Sequence, residues 1–140
     1  MTQYKVGENA MIKVKQQKEF NVFISQPMSG FDLLRIKTDR LICKYFVRED
    51  FLEAFNGDKS YELNFLDNLQ EDKDPETTHP LEYLGCDVAL LAKADVVYFI
   101  PGWEKSRGCN IEYQVAKAYN IPMMFVGGSE FDRIKAKVVD

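Results

Sequence analysis

The chain has 140 residues, 46% apolar and 29% charged, an ordinary globular composition with room for one domain. A formal net charge of -4 gives no electrostatic footprint for duplex nucleic acid, although a local pocket can oppose the net charge and hold a small anion. The three cysteines, Cys43, Cys86 and Cys109, form neither CxxC nor a Cys/His cluster, so a disulfide framework, a metal site and a metal cofactor are not expected, and reduced thiols in a cytoplasmic protein are the simpler reading.

Residues 1–19 are polar and lack the apolar run of a signal peptide, and no stretch approaches the roughly 18 apolar residues of a membrane helix. They read as a variable extension on a single domain spanning 1–140. NVFIS (21–25) is a short apolar run that ends at the turn QPMSG, as a buried strand does. From Phe31 to about Phe55 the residues Leu33, Leu34, Leu41, Ile42, Tyr45 and Phe46 recur at helical spacing, and Asn56-Gly57 supplies a stop. YELNFLDNL (61–69) reads as a second strand and EDKDPETTHP (71–80) as a charged loop. There follow a helix over 81–94, a strand over 95–102 ended by Pro-Gly, a helix over 106–120, a strand over 121–128 and a short closing helix, SEFDRIKAKV.

Strands that are apolar throughout and alternate with helices predict a parallel sheet covered on both faces. The expected fold is α/β, a flavodoxin-like three-layer αβα sandwich of order 2-1-3-4, or 2-1-3-4-5 with a fifth strand. In that order strands 1 and 3 diverge at their carboxyl ends and open a crevice. QPMSG (26–30) and PGWEKSRG (101–108) are the segments placed there.

Two acids fall where apolar residues belong. At roughly 100° per residue, the helix from Ser106 puts Gly108, Ile111, Val115, Ala118 and Tyr119 on one arc with Glu112 inside it, and Asn110, Tyr113, Gln114 and Lys117 opposite. The preceding helix buries Leu81, Leu84, Val88, Leu91 and Ala94, with Asp87 in that arc. A buried carboxylate neutralises, pairs or serves a site, and two beside one crevice can divide nucleophile and acid roles. The competing expectation is that backbone groups or Arg35, Arg40 or Arg107 satisfy both acids.

NVFISQPMSG followed by LGCDVALLAKADVVYFIPGWEKSRGCNIEYQVAKA resembles the nucleoside 2-deoxyribosyltransferase superfamily over about residues 20–127, with an interruption at about 50–78. The likeness is to its small phage and bacterial branch of unknown function, with kinship to the deoxynucleoside 5'-monophosphate N-glycosidases. The resemblance implies that Glu112 attacks the anomeric carbon, that Asp87 protonates or orients the departing base, and that Asp95 opens a strand. It also matches Ser106 to the serine that holds a 5'-phosphate in the monophosphate enzymes. A helix N-terminus offers free amides there, so Ser106, Arg107 and Gly108 make a phosphate site on chemical grounds as well, while serine is also a common cap.

Ser25, Gln26, Ser29 and Gly30 at the end of the first strand join the candidate substrate site, Gln26 through its amide and Ser29 and Gly30 through a hydroxyl and an amide. Phe23 stands where the related enzymes carry a tyrosine that positions the glutamate; Tyr98 or Tyr113 would have to supply such a hydroxyl. Trp103 is a candidate stacking platform for a base or a core and loop packing residue, the cysteines read as small core fillers with Cys109 in a first helical turn also a candidate low-pKa thiol, and His79 is an exposed loop residue. The expected function is N-glycosidic cleavage of a 2'-deoxynucleoside 5'-monophosphate or related nucleotide, by hydrolysis or deoxyribosyl transfer, in a homo-oligomer of two or more subunits. The alternative is a non-catalytic nucleotide-binding protein that senses or sequesters its ligand.

Overall fold

The computed structural model describes the backbone of residues 2–6 and 10–14, and residues 18–138 in full. Within the expected extension, β1 (Thr2–Val6) and β2 (Ala10–Val14) pair antiparallel as a sheet of their own. Lys18 and Glu19, also assigned to that extension, instead begin the central strand β3 (Lys18–Ser25). The remaining elements follow as α1 (Leu33–Phe55), β4 (Tyr61–Phe65), α2 (Pro80–Leu91), β5 (Val96–Phe99), a single 3-10 turn (Trp103–Lys105), α3 (Arg107–Ala118), β6 (Met123–Phe125) and α4 (Gly128–Val138).

The main sheet is wholly parallel in the order β4-β3-β5-β6, which is 2-1-3-4 when β3 counts as its first strand. It has four strands among the described residues, so the five-strand option is not what the chain adopts there. Helices flank the sheet in a flavodoxin-like three-layer arrangement. Val22 pairs with Val96 and Ser25 with Phe99, which centres the sheet on its two most apolar strands. Val22–Ile24 and all of β5 are buried and apolar because each face is covered there, whereas β3 opens on the exposed Lys18 and Glu19.

Alternation then divides the core. Val22, Ile24, Val96 and Tyr98 pack with Ile42, Cys43 and Val47 of α1 and Phe131 of α4. Phe23, Val97 and Phe99 pack the other way, against Leu91 of α2 and Ala116 of α3. Asp95 ties the start of β5 to β3, its Oδ2 accepting the Asn21 N–H at 2.7 Å.

The helix ends follow local chemistry. Asp32 caps α1 by accepting the Arg35 N–H at 2.8 Å, and Asn56 ends the helix in the left-handed region with φ 44°. His79, expected in a loop, is exposed but caps α2: its Nδ1 accepts the Leu81 N–H at 3.0 Å, while Glu82 accepts the His79 N–H at 2.7 Å.

Several helix faces differ from the wheel. α1 buries Ile36, Asp39, Arg40, Ile42, Cys43 and Val47 and leaves Leu33, Leu34, Leu41 and Tyr45 exposed. α2 leaves Leu81 exposed. On α3 the buried stripe is Cys109, Glu112 and Ala116, with Tyr113 half-buried beside it, whereas Ile111, Ala118 and Tyr119 face outward. Small side chains let α2 and α3 approach each other, so packing favoured Cys109 and Ala116 over the larger residues that the wheel weighted.

Candidate active site

The two acids meet at the carboxyl end of the sheet, on its α2/α3 side. Glu112 is only 4% exposed, and its Oε1 accepts the Ser25 hydroxyl at 2.7 Å. Asp87 receives the Gln70 amide Nε2–H on Oδ1 at 2.7 Å, and the same amide group reaches the Tyr83 carbonyl at 2.8 Å. The carboxyls of Glu112 and Asp87 also hydrogen-bond to each other. Carboxylates only accept, so that bond requires a proton between them and the pair carries at most one negative charge.

Burial pushes Glu112 up to about 8; the Ser25 hydrogen bond opposes the rise, and the Asp87 charge adds to it. Burial raises Asp87 too, but the hydrogen bonds from Glu112 and Gln70 and the nearby charges of Arg40 and Lys73 favour its ionised form. Burial therefore raises both acids, and two carboxyls this close disfavour being ionised together.

The arginine alternative is not realised, since among the described residues Arg35, Arg40 and Arg107 form no ion pair with either acid. Arg40 instead donates to the Gln26 Oε1 at 3.1 Å and the Leu66 carbonyl at 3.0 Å. Gln26 passes its own Nε2–H to the Ile36 carbonyl at 2.9 Å, so both ends of the amide expected to read a base are engaged with α1.

A cavity of about 610 Å³ opens at the same end of the sheet, beside α1 and α4. Ser29, Ser106, Arg107 and Gly108 line it, joined by the cations Arg35, Lys105 and Lys135. Ser106 caps α3, its Oγ accepting the Cys109 N–H at 3.3 Å, so the cavity wall carries a helix N-terminus. Gly30, with φ 83°, lies in the adjoining turn, where that backbone favours glycine. Neither Glu112 nor Asp87 belongs to this wall; Cys109, whose thiol lies near both Ser25 and Ser106, is between the two groups.

Cys109 is not the expected low-pKa thiol, because burial pushes it up to about 11 despite its place in a first helical turn. Trp103 stacks on Tyr113 at 5.0 Å and packs with Phe99 and Phe125, away from the cavity wall. Tyr113, placed on the solvent arc by the wheel, belongs to this aromatic cluster. Phe23 is fully buried in the α2/α3 core, and Tyr98 gives its hydroxyl to Asp50 at 2.7 Å on the other face. The hydroxyl that reaches Glu112 comes from Ser25, two residues beyond Phe23 on the same face of β3.

Gln70 was missed as a member of this neighbourhood, and Arg40 was named only as a direct partner of the acids, which it is not. Gln70 stands at the edge of a loop with no periodicity, and only its contact with Asp87 marks it. Arg40 had a legible signal, since Ile36, Arg40, Cys43 and Val47 share helical spacing and all are buried. Among the described residues no helix is long and apolar enough to cross a membrane.

Residues 70–125, which hold both acids and the cap of α3, match the family model of a domain of unknown function (DUF4406). No curated protein and no solved structure matches the chain.

Proposed function

We propose that the protein cleaves the N-glycosidic bond of a 2'-deoxynucleoside 5'-monophosphate or related nucleotide, by hydrolysis or deoxyribosyl transfer. The observation that carries this reading is the buried pair of neighbouring carboxyls, Glu112 and Asp87, and the reading supplies that pair with one shared proton. Moving that proton from Glu112 to Asp87 makes two groups ready at once: a carboxylate to attack C1' and an acid to protonate the departing base. C1'–N breaks as C1'–O forms, and the base leaves with the Asp87 proton. Asp87 then takes a proton from water, whose oxygen displaces Glu112 from C1'; a second base does the same in transfer.

Ser106, Arg107 and Gly108 would hold the 5'-phosphate. Six residues of helix separate Ser106 from Glu112, a rise of about 9 Å, which is roughly the span from a 5'-phosphate across the sugar to an attacking carboxylate. Ser25 would orient Glu112, the task of the tyrosine that Phe23 replaces. A homo-oligomer, which the resemblance implies, is part of the same proposal.

A second reading, non-catalytic nucleotide binding, is favoured by the near-complete burial of Glu112 outside the cavity wall. A panel of deoxynucleoside monophosphates, including modified bases, separates the two when free base is quantified. Release of base that Glu112→Gln abolishes supports cleavage, and saturable binding without release across the panel supports the second reading.

A further inference from the structure

α1 and the end of β4 enclose a separate cavity of about 330 Å³, lined by Lys37, Arg40, Leu41, Lys44, Leu66 and Asp67 among others. Its charges are unbalanced. Lys37 is taken up by Glu71 at 2.8 Å, which leaves Arg40, Lys44 and the neighbouring Arg48 facing Asp67, and none of these forms an ion pair among the described residues. Arg40 is 5% exposed and bonds only to neutral oxygens, the Gln26 amide and the Leu66 carbonyl. The Lys44 Nζ lies 5.0 Å and the Arg48 Cζ 5.3 Å from the centre of the Phe65 ring, so one aromatic ring gathers both cations beside the cavity.

A buried guanidinium such as Arg40, held only by neutral oxygens, is expensive, and an arriving anion relieves that cost. Burial and the charges of Arg40 and Arg48 both weaken the hold of Lys44 on its proton, as expected where positive charge is crowded. The space exceeds that of a bare oxyanion, and Leu41, Leu66 and Leu69 give it an apolar wall. We propose that this cavity is a second ligand site, taking a phosphate monoester with an apolar body, its phosphate on Lys44 and Arg40 and its body against the leucines. Arg40 also stands near enough to Asp87 to influence its charge, so a bound anion would be sensed at the acid pair.

Phenyl phosphate is the probe, titrated into the isotopically labelled full chain and followed by amide NMR shifts. Saturable shifts at residues 37–48 and 65–69 are expected, with binding about tenfold weaker in Lys44→Gln and retained in Lys44→Arg, since a charge-assisted contact of this kind is worth about that factor. Shifts confined to residues 105–108 and 132–135 would assign the ligand to the other cavity and overturn the proposal. Undiminished affinity in Lys44→Gln, or equal loss in Lys44→Arg, would overturn it as well.

Discussion

The two faces of the sheet treat buried charge in opposite ways at the same carboxyl end. On the α1/α4 face Asp39 meets Lys135 at 2.9 Å and Arg35 at 3.6 Å, and Asp50 accepts the Tyr98 hydroxyl. On the α2/α3 face an acid meets an acid, and the direct donors to the pair are the neutral Ser25 and Gln70. Asp39 is balanced by opposite charge, whereas two neighbouring carboxyls without a cation partner disfavour being ionised together. On the proposed function, this difference makes the α2/α3 end the reactive one.

Substitutions can break that contrast. The largest effect expected is on Glu112: Glu112→Gln should lower base release by about 10³-fold or more, measured by chromatography of the free base, because a nucleophile has no substitute. Asp87→Asn should cost about 10²-fold through loss of the proton donor. It should also bring the pKa of Glu112 down, because the Asp87 charge helps to raise it; carboxyl carbon NMR would follow the change. Asp39→Ala, on the other face, should cost about 2 kcal/mol in denaturant unfolding, since it strands Lys135. Ser106→Ala should cost about 1 kcal/mol as a lost cap. It should also erase the preference for monophosphates over nucleosides in KM.

Stability against pH sharpens the same contrast. Folded Glu112 holds its proton up to about pH 8, whereas unfolded it would lose it near its ordinary value of 4.5. Between these values the folded chain binds the extra proton, so the stabilisation is fully present below about 4.5 and is lost as pH rises through 8. Wild type should therefore weaken across this window in urea titrations, while Glu112→Gln flattens the slope and is the more stable protein at pH 8. A wild type that gains stability over the window would break the assignment.

Much of this was legible in the sequence. NVFIS, DVVYFIPG and IPMMFVGG marked three parallel strands because buried strands must be apolar on both faces, and short crossovers left the order 2-1-3-4. Glu112 and Asp87 stood out as acids among apolar neighbours. The faces of α1 and α3 were not legible, because the wheel credits large apolar residues, while the real interfaces use Cys109, Ala116, the ion-paired Asp39 and the hydrogen-bonded Arg40. Side-chain partners were not legible either. Gln26 was engaged by Arg40 and Ile36, and Ser25 reached Glu112, through contacts between segments far apart in the chain.

The most direct test of the α2/α3 face as a reactive site is to acid-quench the protein during turnover of a deoxynucleoside monophosphate and map covalent adducts by mass spectrometry. A deoxyribose 5-phosphate ester on Glu112, absent in Glu112→Gln, is the predicted result. Base release with no adduct at Glu112, or with the adduct on another residue, would contradict it.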